Sequence, residues 1–280
     1  MESSSVQIVK YSGETTPFDI DKLRQSLLDA GATESATTRI SRKIADELYD
    51  GISTKQIYQR AHRLLRNHAQ SKASRYGLKK AILNMGPTGY PFELFVGELM
   101  KAQGFKVKVG TVMPGKCVTH EVDVYAENEK MVRMMECKFH NRLGYKTDVK
   151  VTMYIKSRFE DLESVWKNDA QISHKKHEGW VVTNARFTKD AIDFGTCSRL
   201  QLLSWDYPAQ GSLKSLVTRH RLYPITTIGV LSKSNKELLM KKGIVLAKTL
   251  WEQPEALEGL GLESSKIDKI LTEARTICDL

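Results

Sequence analysis

In the run KMVRMMECKF, Glu136 and Lys138 stand two residues apart, so in a strand their carboxylate and amine share one face. Met135, Cys137 and Phe139 then take the opposite face. Charges inside an apolar strand are costly to desolvate without partners, which makes this pair more informative than a surface ion pair. Asp123 lies between Val122 and Val124 on a preceding strand, and a hairpin through Glu127–Lys130 brings it beside Glu136. Glu93 sits at the edge of a helical apolar stripe, in line with Val96 and Met100, from which it can reach the same point. Glu98 lies outside that stripe. Such carboxylates suit Mg²⁺, or Mn²⁺ in its place: a hard ion that keeps several waters and accepts phosphate oxygen. A neighbouring ammonium can position the attacking water and stabilise the charge that develops on a pentavalent phosphate. The expected chemistry is metal-assisted phosphodiester hydrolysis, with Glu93, Asp123 and Glu136 as metal ligands and Lys138 assisting water. The residues alone leave open a structural pairing of Glu136 with Lys138 and a turn-capping Asp123.

Composition narrows the substrate. The 280 residues carry 43 Lys+Arg against 33 Asp+Glu, a net charge of +10, which favours a polyanionic partner through phosphate contacts and counterion release. Nucleic acid is the first expectation, and Lys150, Lys156 and Arg158 with Tyr154 are candidates to line a DNA groove. The opening residues have no apolar signal region and no window of about 18 apolar residues occurs, so a cytoplasmic protein without a membrane partner is expected. Cys117, Cys137, Cys197 and Cys278 form no CxxC pair, which argues for reduced thiols. No GxxxxGK[ST] loop is present, so a P-loop motor is not expected. His174 and His177 lack further ligands at metal spacing, whereas His120 precedes Glu121 and Asp123 and could orient water or phosphate.

The elements that must position these groups form a multidomain α+β chain. Residues 1–86 read as a β-hairpin turned at Ser12-Gly13 followed by a helical bundle, with helices after Asp19, around 36–49 and over 54–71. The Gly- and Pro-rich NMGPTGYP marks a boundary. Residues 87–210 alternate as an α/β core with a mixed sheet: the helix FELFVGELMKAQG, strands KVKVGTV, EVDVYAE and KMVRMMECKF, a segment VKVTMYIKSRFEDLESVW helical in its later part, a buried strand at 180–183, a helix at 188–195 and a strand at 201–204. Residues 221–280 read as a small all-α domain broken at Gly243, Pro254, Gly259 and Gly261.

Glu93, Asp123 and Glu136-Cys137-Lys138 resemble the E, D and ExK elements of the PD-(D/E)xK nucleases, specifically Mrr-like restriction endonucleases, over about residues 89–207. GYPFELFVGELMKAQGFKV is similar to that family's opening helix and GWVVTNARFTKDAIDFGTCSRLQLLSWD to its closing strand, helix and strand. His120-Glu121 replaces the familiar glycine pair, and Glu136 stands where this branch commonly has Gln. IVKYSGETTPFDIDKL, ISTKQIYQRAHRLL and SRYGLKKA resemble the ATP-cone, a nucleotide-sensing domain. That resemblance implies ATP or dATP as an allosteric ligand, with Lys10 and Lys22 as phosphate-facing lysines, Tyr11 beside them and Thr54 at the start of a later helix. Tyr11 replaces a frequent Arg. LLMKKGIVLAKTL and LGLESSKIDKILTEA resemble helix-hairpin-helix domains, which present backbone amides to phosphate. Together these imply a Mg²⁺-dependent DNA endonuclease regulated by ATP or dATP, acting as a homo-oligomer in restriction or phage defence. The rival expectation is an inactive, nucleotide-responsive DNA-binding regulator.

Overall fold

The computed structural model describes residues 6–67 and 70–279. Its amino-terminal unit starts with the antiparallel pair β1 (Gln7–Val9) and β2 (Thr15–Pro17), turned through Gly13 at φ 85°, a left-handed conformation that costs glycine little. Three helices follow, each opened by a side-chain cap. Asp19 accepts from the amides of Asp21 and Lys22 at α1 (Ile20–Asp29), Thr33 from Ala36 at α2 (Glu34–Asp46), and Ser53 forms a capping box with Gln56 at α3 (Thr54–Arg66). Between the last two helices, β3 (Ile52–Ser53) pairs parallel with β1; it is too short to show a period, and no expectation covered it. The helix expected over 54–71 stops at Arg66 and is followed by α4 (Gln70–Tyr76) and α5 (Leu78–Leu83); residues 68 and 69 lie outside the described residues. Leu27, Ile40, Ile44, Ala61 and Leu65 are almost wholly buried in this unit's core.

The central unit opens with α6 (Tyr90–Lys101), which carries Pro91 in its first turn, where the missing amide has no helical partner to lose. β4 (Lys106–Pro114), β5 (Thr119–Glu127) and β6 (Met131–Lys138) form an antiparallel meander. The short β7 (Lys146–Thr147) leads into α7 (Val149–Trp166), and β8 (Lys176–Thr183) returns parallel to β6. β9 (Arg186–Phe187) pairs with β7, α8 (Lys189–Cys197) follows, and β10 (Gln201–Leu203) pairs parallel with β8. The mixed sheet has the order β10-β8-β6-β5-β4. One face carries Val124, Ala126 and Met135 against Phe92, Phe95 and Leu99 of α6; the other carries Tyr125, Met134 and Val181 against Ile155, Phe159 and Leu162 of α7.

α7 corrects one expectation: it is helical from Val149 onward, not only in its later part. The β-branched opening VKVT reads locally as a strand. Asp148 caps the helix by accepting from Val151, and Thr152, Ile155, Phe159, Leu162 and Trp166 bury one stripe, so tertiary burial overrides propensity. β8 likewise starts at Lys176, earlier than its apolar run, because pairing with β6 extends it.

α9 (Leu213–His220), α10 (Lys233–Lys241), α11 (Ala247–Glu252) and α12 (Ser264–Cys278) complete the described chain. Val217, Ile225, Leu239, Leu250, Ile270 and Ile277 join the same apolar cluster as the α6 face, so these helices extend the central core. They also tie to the amino-terminal unit. Arg75 donates to the Ile277 carbonyl at 3.0 Å and pairs with Asp279, and Thr226 Oγ1 donates to the Ala81 carbonyl at 2.7 Å. Among the described residues no helix is long and apolar enough to cross a membrane, and all four cysteines are free thiols.

Candidate active site

The site is a fork in the sheet. Pairing of β5 with β6 runs only as far as Val124 and Met135, although β5 goes on pairing with β4 and β6 with β8. Beyond that point the amide of Cys137 has no strand partner on the β5 side. The Asp123 carboxylate takes its place, with Oδ2 accepting from Cys137 N at 2.7 Å. Asp123 is therefore set by the split ladder itself. Glu136, 5% exposed, is held by two cations: Lys138 Nζ at 2.6 Å from Oε1 and Arg158 Nη1 at 2.5 Å from Oε2. Arg158 comes from α7 and also donates to the Glu121 carbonyl. Glu93 arrives from the first turn of α6, packed so close to the helix start that a side chain at Gly89 would meet its Oε1 at 3.3 Å.

The electrostatics show that these acids crowd one another. Burial, then the charges of Asp123, Glu121 and Glu136, push the Glu93 carboxyl up to about 7. Burial and the Glu136 charge push Asp123 up to about 6, against the opposing pull of the Cys137 amide, Lys138 and Arg158. Burial and the same acids raise the Cys137 thiol well above its usual range, so it stays neutral and inert. Among the described residues no three Asp, Glu, His or Cys side chains converge closely enough to hold an ion as they stand, and both oxygens of Glu136 face cations, Lys138 and Arg158. The donor set nevertheless fits Mg²⁺. It offers hard carboxylate oxygens, and the burial and crowding that raise the Glu93 and Asp123 carboxyls are what a divalent cation would offset.

The fold thus brings together Glu93, Asp123, Glu136 and Lys138. Arg158 belongs with them, although its sequence context suggested only a groove-lining role. Its partner lies 22 positions away on another element, and nothing in the local pattern reveals that distance relation. His120 points elsewhere: its Nε2 lies 2.8 Å from Asp161, whose carboxylate also receives the amides of Cys117 and Val118 and pins the β4–β5 turn. Those contacts, His120 first, pull Asp161 down to about 2. Lys156 pairs with Glu160, and Glu98 with Lys101. His177 lies on β8 with its ring nitrogen 2.9 Å from the Ile172 carbonyl.

Of the nucleotide candidates, Lys10, Lys22 and Thr54 line one cavity of about 360 Å³ with Ile8, Leu23 and Tyr58. Tyr11 does not line it and faces the central unit instead. Lys22 pairs with Asp19, and Lys10 with Glu14, both at 3.1 Å.

Family models match three successive stretches: the ATP cone domain over residues 6–80, a restriction endonuclease domain over 84–207 and an AF1548-like C-terminal domain over 223–278. An uncharacterized protein of Archaeoglobus fulgidus is 31% identical over 183 residues, 65% of this chain and 99% of the relative. The crystal structure of a protein of unknown function, AF1548, matches with a TM-score of 0.56 at 30% identity, covering 69% of this chain and 99% of that one.

Proposed function

Because the chain belongs to the family of the Archaeoglobus protein, with an ATP cone and a restriction-endonuclease domain in one polypeptide, we propose that it is a Mg²⁺-dependent DNA endonuclease controlled by ATP or dATP. The observation that carries this reading is the fork at which Asp123, Glu136 and Lys138 meet with Glu93 beside them, where burial and mutual repulsion raise the Glu93 and Asp123 carboxyls to about 7 and about 6 next to an ammonium. Glu93, Asp123 and Glu136 would hold the ion, which when bound polarises a phosphoryl oxygen and acidifies water. The chain's own groups do the rest. Lys138 positions the attacking water and stabilises charge on the phosphate as the bond to the leaving sugar oxygen breaks. Arg158, which pairs with Glu136 at 2.5 Å, carries a planar fork of donors of the kind that suits a phosphate. The net charge of +10 supports DNA as the polyanion. Restriction or phage defence and a homo-oligomeric state, with one active site per strand of the duplex, follow by analogy with the restriction endonuclease domain.

Supercoiled plasmid with Mg²⁺ or Mn²⁺, with and without ATP or dATP, tests the activity. Nicked or linear product that disappears on chelation is expected. A second reading, a nucleotide-responsive DNA-binding regulator, draws support from Glu136 having both oxygens occupied by cations. DNA binding without cleavage under either ion would favour it.

The acid cluster also makes a prediction about pH. Carboxyl groups raised in the fold to about 7 and about 6 stabilise it while protonated, and this contribution is lost as pH rises through those values. A bound divalent ion must displace the same protons. Mg²⁺ is therefore expected to raise the melting temperature more at pH 8 than at pH 6, as measured by thermal denaturation. A shift that does not depend on pH would remove Glu93 and Asp123 from the ligand set.

A further inference from the structure

A second cavity, of about 490 Å³, lies between the ATP cone and the nuclease domain. From the cone it is lined by Lys10, Tyr11 and Thr54, and from the nuclease domain by the loop 142–146 and by Arg186. Its character is cationic. Lys10, Lys79, Arg142, Lys146 and Arg186 all face it, against the single carboxylate of Glu14. Arg142 and Lys146 are exposed, and among the described residues neither forms an ion pair. Burial first, then the nearby Arg186 charge, hold the Lys79 ammonium below its usual range, while Asp206, which pairs with Arg186 at 2.7 Å, pulls the other way. Tyr11 reaches the loop directly: a side chain at Gly144, which sits at φ 89°, would come within 3.1 Å of the tyrosine ring.

The cone cavity is different. Ile8, Leu23 and Ile57 line it together with Tyr58 and Tyr76, whose rings stack at 5.2 Å, and it meets the cationic cleft at two shared residues, Lys10 and Thr54. Its wall also carries Lys22, paired with Asp19 at 3.1 Å, so an aromatic compartment with one lysine, sharing Lys10 and Thr54 with a cationic cleft, matches a ligand with a flat base at one end and a polyphosphate at the other. Each cavity is within the range of small-molecule sites, about 300–1,000 Å³.

We propose that the nucleotide site spans both domains: base and ribose occupy the cone cavity, and the phosphate chain runs past Lys10 and Thr54 into the cleft, where Arg142 and Lys146 complete it. This rests on the ATP cone binding nucleotide at all, and goes beyond it by giving the nuclease domain a share of the ligand. The consequence is a route for control. The loop 142–146 joins the strand that carries Lys138 to the helix that carries Arg158, so a phosphate chain gripping it acts on the connection between two groups of the active site. A nucleoside without phosphates has no reach into the cleft and is not expected to act there.

The test is calorimetric titration of ATP and of adenosine into the full-length wild type, the double variant Arg142→Ala/Lys146→Ala and, separately, Lys22→Ala. Both loop residues are exposed, so the double variant is expected to fold. Loss of two charge-assisted phosphate contacts should weaken ATP by about tenfold or more and leave adenosine unchanged. Undiminished ATP affinity in the double variant, with Lys22→Ala weakened, would overturn the shared site and leave the cone reading standing. Absence of ATP binding to the wild type would overturn both. Weaker DNA binding with unchanged ATP binding would also overturn the proposal and assign the cleft to a DNA backbone.

Discussion

Replacing Lys138 by Ala is expected to slow plasmid cleavage by about 10²- to 10³-fold, the scale on which loss of one preorganised group facing developing charge is felt. Affinity for uncleaved DNA should change little, because the ammonium acts chiefly on charge that appears as phosphorus gains its fifth oxygen. Folding is not at risk, since Arg158 still pairs with Glu136 at 2.5 Å and Lys138 is itself 36% exposed. Asp123→Asn is the companion variant. The amide oxygen can still accept from Cys137 N, so the fork keeps its geometry while the site loses a charge. A comparable fall in rate with an unchanged melting temperature separates chemistry from stability. If either variant cuts at the wild-type rate, the fork is not where the reaction occurs.

The second large effect is on stability. Arg133 lies between the rings of Phe105 and Trp180, at 4.3 and 4.8 Å from their centroids, and its Nε is 3.0 Å from Glu178. Burial works against the Glu178 charge, but Lys176, the Trp180 indole and Arg133 together hold its carboxyl below the ordinary range. Arg133→Ala removes the stacked guanidinium and leaves a buried carboxylate with one partner fewer, at a cost of about 3 kcal/mol. For a domain of this size the melting temperature should fall by roughly 6 to 12 °C. Replacing the pair together, Arg133→Leu with Glu178→Leu, should recover most of that, because no uncompensated charge remains. Thermal denaturation of the three proteins checks both statements, and an unchanged midpoint for Arg133→Ala would show that the pair contributes nothing.

Glu136 and Lys138 are legible as a same-face pair because strand periodicity is a local rule, and Asp123 and Glu93 follow from the next strand and the helical stripe. The capped starts of α1 and α3 are likewise written in the chain, as Asp19 and as Ser53 with Gln56. The motifs also sufficed to identify a nuclease-like core and an ATP cone.

What sequence could not supply is where separate elements meet. The split between β5 and β6 that hands the Cys137 amide to Asp123 depends on the order of the whole sheet. Arg158 reaches Glu136 because α7 packs across the sheet face, a meeting of two elements that no local pattern announces. Tyr11, next to Lys10 in the chain, parts from Lys22 and turns to Gly144, since neighbouring residues of a turn point in different directions. Periodicity and caps act over a few residues and are carried by the chain itself. Partners brought together across the sheet or between domains are chosen by packing of the whole molecule, which only the tertiary structure decides.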